Sequence, residues 1–301
     1  MSRISPILLG ISLSLAGGVA AAAQDATATP PKVIQLTREW LKTGKAPSAH
    51  DKSEAGFVSL SARGKLQGHY VALNSMSGKP RALYMYRYPS FEAWEKDNQT
   101  IDKNPALAAD LDRLIATDGE LLESLDTAVL TYNEDLSYHP RPDLSHARYY
   151  VLNVFHVRPG HHKEWIETVK MYQAACDKIG EGPHWGMYEI AFGGEAGTYI
   201  ALSHRDSMKE IDQIMSGDKK FMEAMGGEEG MQKFDELFGQ AVDSSRVELF
   251  SINPKQSYAE ESWIKADPDF WKPKKAAPET AAVKPAAPKP APAAAAKPGG
   301  N

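Results

Sequence analysis

The chain has 301 residues, 42% of them hydrophobic and 24% charged, which supports one or two domains with real cores and excludes a wholly disordered chain or a multi-span membrane protein. Its net charge of −5 is unevenly spread: setting aside Arg3 and the six Lys and one Glu of residues 272–301 leaves 27 basic against 38 acidic side chains. A body that acidic repels a phosphate backbone, so nucleic acid is not an expected partner.

Residues 1–23 carry Arg3, an apolar run from Ile7 to Leu15 and the small-residue end Ala21-Ala22-Ala23. That is the pattern of a cleaved secretory signal peptide, and it predicts a periplasmic or extracellular protein. No other stretch approaches about 18 consecutive apolar residues, so no transmembrane segment is expected in the mature chain. Cys176 is the only cysteine, which rules out an intramolecular disulfide and cysteine-based metal sites.

A first unit, 31–140, reads as a strand near Val33–Leu41, a helix near Asp51–Arg63 and strands near His69–Leu73 and Arg81–Tyr88. A helix from Ser90, another near Leu107–Leu125 and a strand Thr127–Tyr132 complete it. The second unit, 147–260, begins with a strand Tyr149–Val157 broken by Arg158-Pro159-Gly160 before a helix His162–Ile179. Trp165, Val169, Tyr172 and Cys176 mark the apolar face of that helix, where Cys176 reads as a small buried hydrophobe. Strands Trp185–Phe192 and Thr198–Ser203 follow, then a broken helical region, 206–241, and a strand Arg246–Ile252. Residues 272–301 are rich in Ala, Pro and Lys and read as a disordered tail whose functional reading is weak contact with anionic envelope polymers.

An offset of 116 relates the units: Leu41–Gly44 falls on Val157–Gly160, Ala82–Tyr88 on Thr198–His204, and Glu120–Leu122 on Glu236–Phe238. Ser137-Tyr138 meets Ser257-Tyr258 after a slip to 120. The predicted class is therefore α+β, two tandem ferredoxin-like βαββαβ units, each with a sheet face that wants a partner.

The stretches Val154–Trp165 and Tyr88–Trp94 resemble the dimeric α+β barrel superfamily, in particular its antibiotic-biosynthesis-monooxygenase and NIPSNAP-like members. The resemblance implies that the two units pack sheet to sheet around a cavity, as an intramolecular form of the dimeric barrel, with further association left open. It also implies positions of interest. Asn153 stands seven residues before Gly160, as an Asn does in the haem-degrading members, and Trp94 matches their Trp. Asn104 occupies the place of their haem-ligand His, so no haem is expected.

On the strand Tyr149–Val157, Asn153 and His156 have opposite parity, and only one can face the cavity. His204 and Asn153 are the candidate catalytic residues, His204 as a base with a pKa near neutrality. Trp94, Tyr88, Tyr188, Tyr199, His156 and Trp185 are candidate ligand contacts. No metal or cofactor is expected: His161-His162 are helix neighbours that diverge, the Glu223–Glu236 carboxylates read as a solvated face, and Met208, Met215, Met222, Met225 and Met231 read as helical core. There is no Gly-x-Ser-x-Gly, P-loop or dinucleotide fingerprint. The expected role is binding of a small apolar or aromatic molecule between the sheets. The alternatives are a cofactor-independent monooxygenase acting on an electron-rich phenol and a non-catalytic envelope scaffold whose barrel is packed solid.

Overall fold

Alternating apolar residues, such as Ile34 and Leu36 or Leu83 and Met85, give each strand one buried stripe, and eight such stripes close on one another in the computed structural model, which describes residues 29–45, 47–180 and 183–272. In chain order these elements are β1 (Val33–Leu41), α1 (Pro47–Gly64), β2 (His69–Ser75), β3 (Arg81–Tyr88), α2 (Phe91–Asp102), α3 (Pro105–Gly119) and β4 (Leu122–Tyr138). The second half supplies β5 (Tyr149–Val157), α4 (His162–Ile179), β6 (Trp185–Phe192), β7 (Thr198–Arg205), α5 (Met208–Met215), α6 (Asp218–Met225), α7 (Gly227–Ala241) and β8 (Val242–Ile252). Two short helices end the described chain, α8 (Glu261–Ala266) and α9 (Pro268–Trp271). The expected signal segment, 1–23, and the tail beyond Lys272 lie outside the described residues.

The strands form a closed antiparallel barrel in the order β1-β3-β2-β8-β5-β7-β6-β4. Each half thus brings its four strands in the same order, and the halves meet where β2 pairs with β8 and β4 with β6. Inside lie Leu36, Leu73, Leu83, Leu130, Leu152, Ile200 and Phe250. The opposite strand faces pack under the helices: Phe155, Tyr199 and Ala201 meet Trp165, Val169, Tyr172 and Cys176 of α4, the stripe expected from spacing. Helix starts follow local chemistry. The Ser90 hydroxyl accepts from Ala93 N to cap α2, and Asn104 accepts from Ala106 N and Leu107 N to cap α3, with Pro105 at the first turn.

The structure corrects three expectations. Val33 opposes Tyr88 and Tyr149 opposes Arg205, so with Val33 set against Tyr149, Tyr88 falls on Arg205 and Arg87 on His204. The 116 offset holds for β1 and β5 but misplaces β3 against β7 by one residue, which exchanges the two faces. Glu120–Leu122 and Glu236–Phe238 are not equivalent either, because Leu122 opens β4 while Phe238 lies within α7. The methionines are helical core only in part: Met225 is buried and Met231 packs against the same cluster, whereas Met208, Met215 and Met222 are exposed on α5 and α6.

One end of the barrel is stoppered. Trp263 of α8 and Trp271 of α9 pack at a tilt, ring centres 5.3 Å apart, against the interior cluster, joined by Leu144 and Ala147 from the β4–β5 connection. The Trp271 indole N–H donates to Ser145 O at 2.8 Å, and the Arg87 guanidinium lies 4.8 Å from the Trp263 ring centre while pairing with Glu260 at 3.0 Å. An Arg148–Asp267 ion pair holds the turn between the two helices.

Candidate functional site

The end opposite the stopper is open. Leu36, Leu83, Leu152, Val154, Ile190 and Ile200 form the apolar wall of a cavity of about 250 Å³ inside the barrel, and Arg38, Arg81, Arg246, Asp126 and Glu248 ring its mouth. Parity produces this arrangement. On β1, β3 and β8 the inward face carries apolar residues and, at the open end, Arg38, Arg81, and Arg246 with Glu248, while β5 and β7 add apolar wall, so floor and rim come from one alternation. Arg38 pairs with Asp126, and Arg81 pairs with Glu248 while lying 6.0 Å from the Trp40 ring centre and 5.3 Å from that of Phe250. Arg246 is 4.0 Å from the same Glu248 carboxylate and largely exposed. Three guanidinium groups therefore face two carboxylates, and the mouth presents a cationic edge above an apolar well.

None of the expected site residues lines this cavity. His156 has the interior-facing parity and stands at the open end, its Nδ1 3.3 Å from Thr198 Oγ1 and 3.6 Å from Glu195. Tyr188 and His204 also face inward, but at the stoppered end, where they line a space of about 40 Å³ with Arg87, Leu144 and Tyr150. The Tyr188 hydroxyl donates to Pro31 O at 3.1 Å. His204 is not a base poised near neutrality. Burial lowers its pKa from 6.5 to about 4, and its Nε2–H donates to Arg141 O at 3.0 Å.

The remaining candidates lie on the wrong face for an inter-sheet ligand. Asn153 is 3% exposed and sits opposite Ala201 and Val247, with the helix-side parity of Phe155. Tyr88 and Trp94 stack 6.1 Å apart beneath α2 in a cluster with Val33 and Val129. Tyr199 packs on Trp165, with its hydroxyl 3.1 Å from His162 Nδ1. Trp185 is sandwiched against Tyr138 and donates to Leu136 O at 2.8 Å. All five are helix-layer residues because each falls an odd number of positions from an interior neighbour on its strand, or, for Trp94, on the helix itself. Cys176 is fully buried, and burial pushes its thiol up to about 12.

A different group escapes sequence reasoning: Glu39 on β1, His50 and Glu54 on α1 and Asp118 at the end of α3, all buried on the outer face of the first half. His50 Nε2 is 3.0 Å from Glu39 Oε2 and 3.9 Å from both Glu54 Oε1 and Asp118 Oδ1. Burial, with the nearby Glu39 and Asp118 charges, pushes the Glu54 carboxyl up to about 10. The readable signal was the i, i+4 spacing of His50 and Glu54, which is visible only if α1 starts at Pro47 instead of Asp51.

No family model matches the chain, and no curated protein matches it. Solved structures do. An anthrone oxidase-like protein superposes with a TM-score of 0.50 at 13% identity, over 76% of this chain and 94% of its own. A candidate monooxygenase of Fusobacterium nucleatum subsp. nucleatum gives 0.48 at 13% identity, over 75% and 94%. A mutant chlorite dismutase of Candidatus Nitrospira defluvii in complex with cyanide gives 0.45 at 8% identity, over 79% and 96%. Identities this low bear on architecture alone: the chain shares its fold with the anthrone oxidase-like protein.

Proposed function

We propose that this chain is an exported single-chain α+β barrel, two tandem ferredoxin-like units over 31–140 and 147–260, that binds a small molecule with an apolar or aromatic body and an anionic group in its open mouth. The observation that carries this reading is the cavity of about 250 Å³ with leucine and isoleucine walls and an arginine edge. Apolar walls reward burial of a ring or short chain, and a guanidinium rewards a carboxylate or phenolate placed at the rim. A barrel packed solid from end to end, the scaffold alternative, would leave no such space.

An oxygenase acting on a phenol would use the same cavity, since a phenolate meets the arginine edge as a carboxylate does. His156, beside the lining residue Thr198 at the open end, is then the candidate base, and oxygen uptake with phenolic substrates, lost in His156→Ala, is its test. Asn153 and His204 would have no part in it.

The binding reading is tested by titrating the full chain with 2-naphthoate and with naphthalene. Naphthoate should bind more tightly. Arg81→Gln should weaken naphthoate by roughly 10- to 100-fold, the worth of a charge-assisted hydrogen bond, and leave naphthalene unchanged. Leu152→Trp, which fills the well, should abolish both. Equal binding by wild type and Leu152→Trp sinks the assignment. N-terminal sequencing of the secreted protein, expected to begin at Gln24, tests export.

A further inference from the structure

Four buried side chains converge outside the barrel, between α1, α3 and the outer face of β1, on the opposite face of that strand from the mouth residues Arg38 and Trp40. Glu39, His50, Glu54 and Asp118 each offer one donor atom, and these atoms lie within 4.8 Å of one another. All four residues are between 3% and 6% exposed. Among the described residues the three carboxylates form no ion pair with Lys or Arg; the single imidazole is their counter-group. Three negative charges this close in a dry site repel strongly unless protons or a cation neutralise them.

Hydrogen bonds do not account for the arrangement. Only the Glu39–His50 contact has hydrogen-bond length, while Glu54 Oε1 and Asp118 Oδ1 point at His50 Nε2 from 3.9 Å and have no hydrogen-bond partner. A fifth group points the same way. Tyr84 of β3, 2% exposed, turns an unpartnered hydroxyl toward Glu54, with its ring edge-on to His50 at 6.5 Å.

We propose that Glu39, His50, Glu54 and Asp118 bind one divalent first-row transition cation of the Mn²⁺, Fe²⁺ or Zn²⁺ class. One imidazole nitrogen among three carboxylate oxygens suits these ions. Mg²⁺ and Ca²⁺ favour all-oxygen sites, and softer ions want the thiolates this site lacks. A dication leaves a single net negative charge and supplies a partner for both orphaned oxygens.

Gln256, 1% exposed, is the positioning residue for the ring. Its Nε2 lies 3.3 Å from His50 Nδ1 and 2.9 Å from Asp51 Oδ1, while its Oε1 is unpartnered. In that arrangement Nδ1 accepts and Nε2–H donates to Glu39, the metal-free form. Loading requires the other tautomer: the Nε2 lone pair meets the ion and Nδ1–H donates to the Gln256 carboxamide oxygen once the amide has turned over. Asp51 then gives up its bond to Gln256 and keeps the one from Asn253 Nδ2 at 2.9 Å.

Burial ties loading to folding, so the metal has to be present as the chain is made. The full chain is expressed in medium supplemented with MnCl₂ or ZnSO₄, dialysed exhaustively, and its metal content measured by elemental mass spectrometry alongside Glu54→Gln and Gln256→Ala. The expected result is about one ion per wild-type chain, at least tenfold less in Glu54→Gln, and an intermediate loss in Gln256→Ala. Glu54→Gln keeps the shape of the side chain and removes only its acidic group, so its circular dichroism and melting temperature should show a folded protein. Metal-free wild type under both supplements overturns the proposal. So does equal metal in wild type and a folded Glu54→Gln, which would place the ion elsewhere.

Discussion

His204 shows how burial can remove a histidine from the chemistry its identity promises. The folded ring stays neutral down to about pH 4, whereas the unfolded one protonates near 6.5. Between those values the unfolded chain binds the extra proton, so stability falls as pH drops through the window, by about 3 kcal/mol in all. Replacing it with glutamine, which can still donate to Arg141 O, should flatten urea-derived stability between pH 6.5 and 4; an unchanged slope would mean another group titrates there. Cys176 makes the complementary prediction. With its thiol buried and raised to about 12, it should react with a thiol reagent only at the rate of global unfolding, measured by comparing modification kinetics with and without denaturant.

Among the elements, those bounded by strong punctuation were legible residue by residue. β3 at Arg81–Tyr88, α4 at His162–Ile179 and β6 at Trp185–Phe192 coincide with the predicted spans, because Pro, Gly and clear periodicity fix their ends. The faces of β3 and β7 were less so. A repeat found by residue similarity tolerates a slip of one, and one residue decides whether Tyr88 or Arg87 looks into the barrel. The stopper helices were invisible for another reason. α8 and α9 are 6 and 4 residues long, too short to show a period, and their tryptophans gain meaning only from the hole they fill. Trp263→Ala should therefore cost about 3–5 kcal/mol, the usual penalty for emptying a buried indole site, read as a lower midpoint in urea. A loss below 1 kcal/mol would show that the barrel end closes without it.

For the molecule as a whole, the weakest join is the β2–β8 seam, where pairing runs only from Leu73 and Ile252 to Ser75 and Phe250, against the full length of β5 for β5–β8. The segment after β8 makes good the difference. Asn253 N donates to Ala72 O at 2.9 Å, Tyr70 N to Tyr258 O at 3.1 Å, and Ala72 N to Ser257 Oγ at 2.9 Å. Ser257→Ala leaves the Ala72 amide buried and unpaired, which should lower stability by about 1–3 kcal/mol and speed hydrogen exchange along β2 more than along β5. Uniform exchange in that variant would argue that the seam carries no special load.

Closure of the ring has a social consequence. Among the described residues no barrel strand offers a row of free amides and carbonyls, so a passing peptide has no ladder to join and a neighbouring copy no rung to borrow. Whatever meets this protein must know it by its side chains: the arginines of the mouth, or the aromatic pair Phe91 and Phe192 left standing in the solvent.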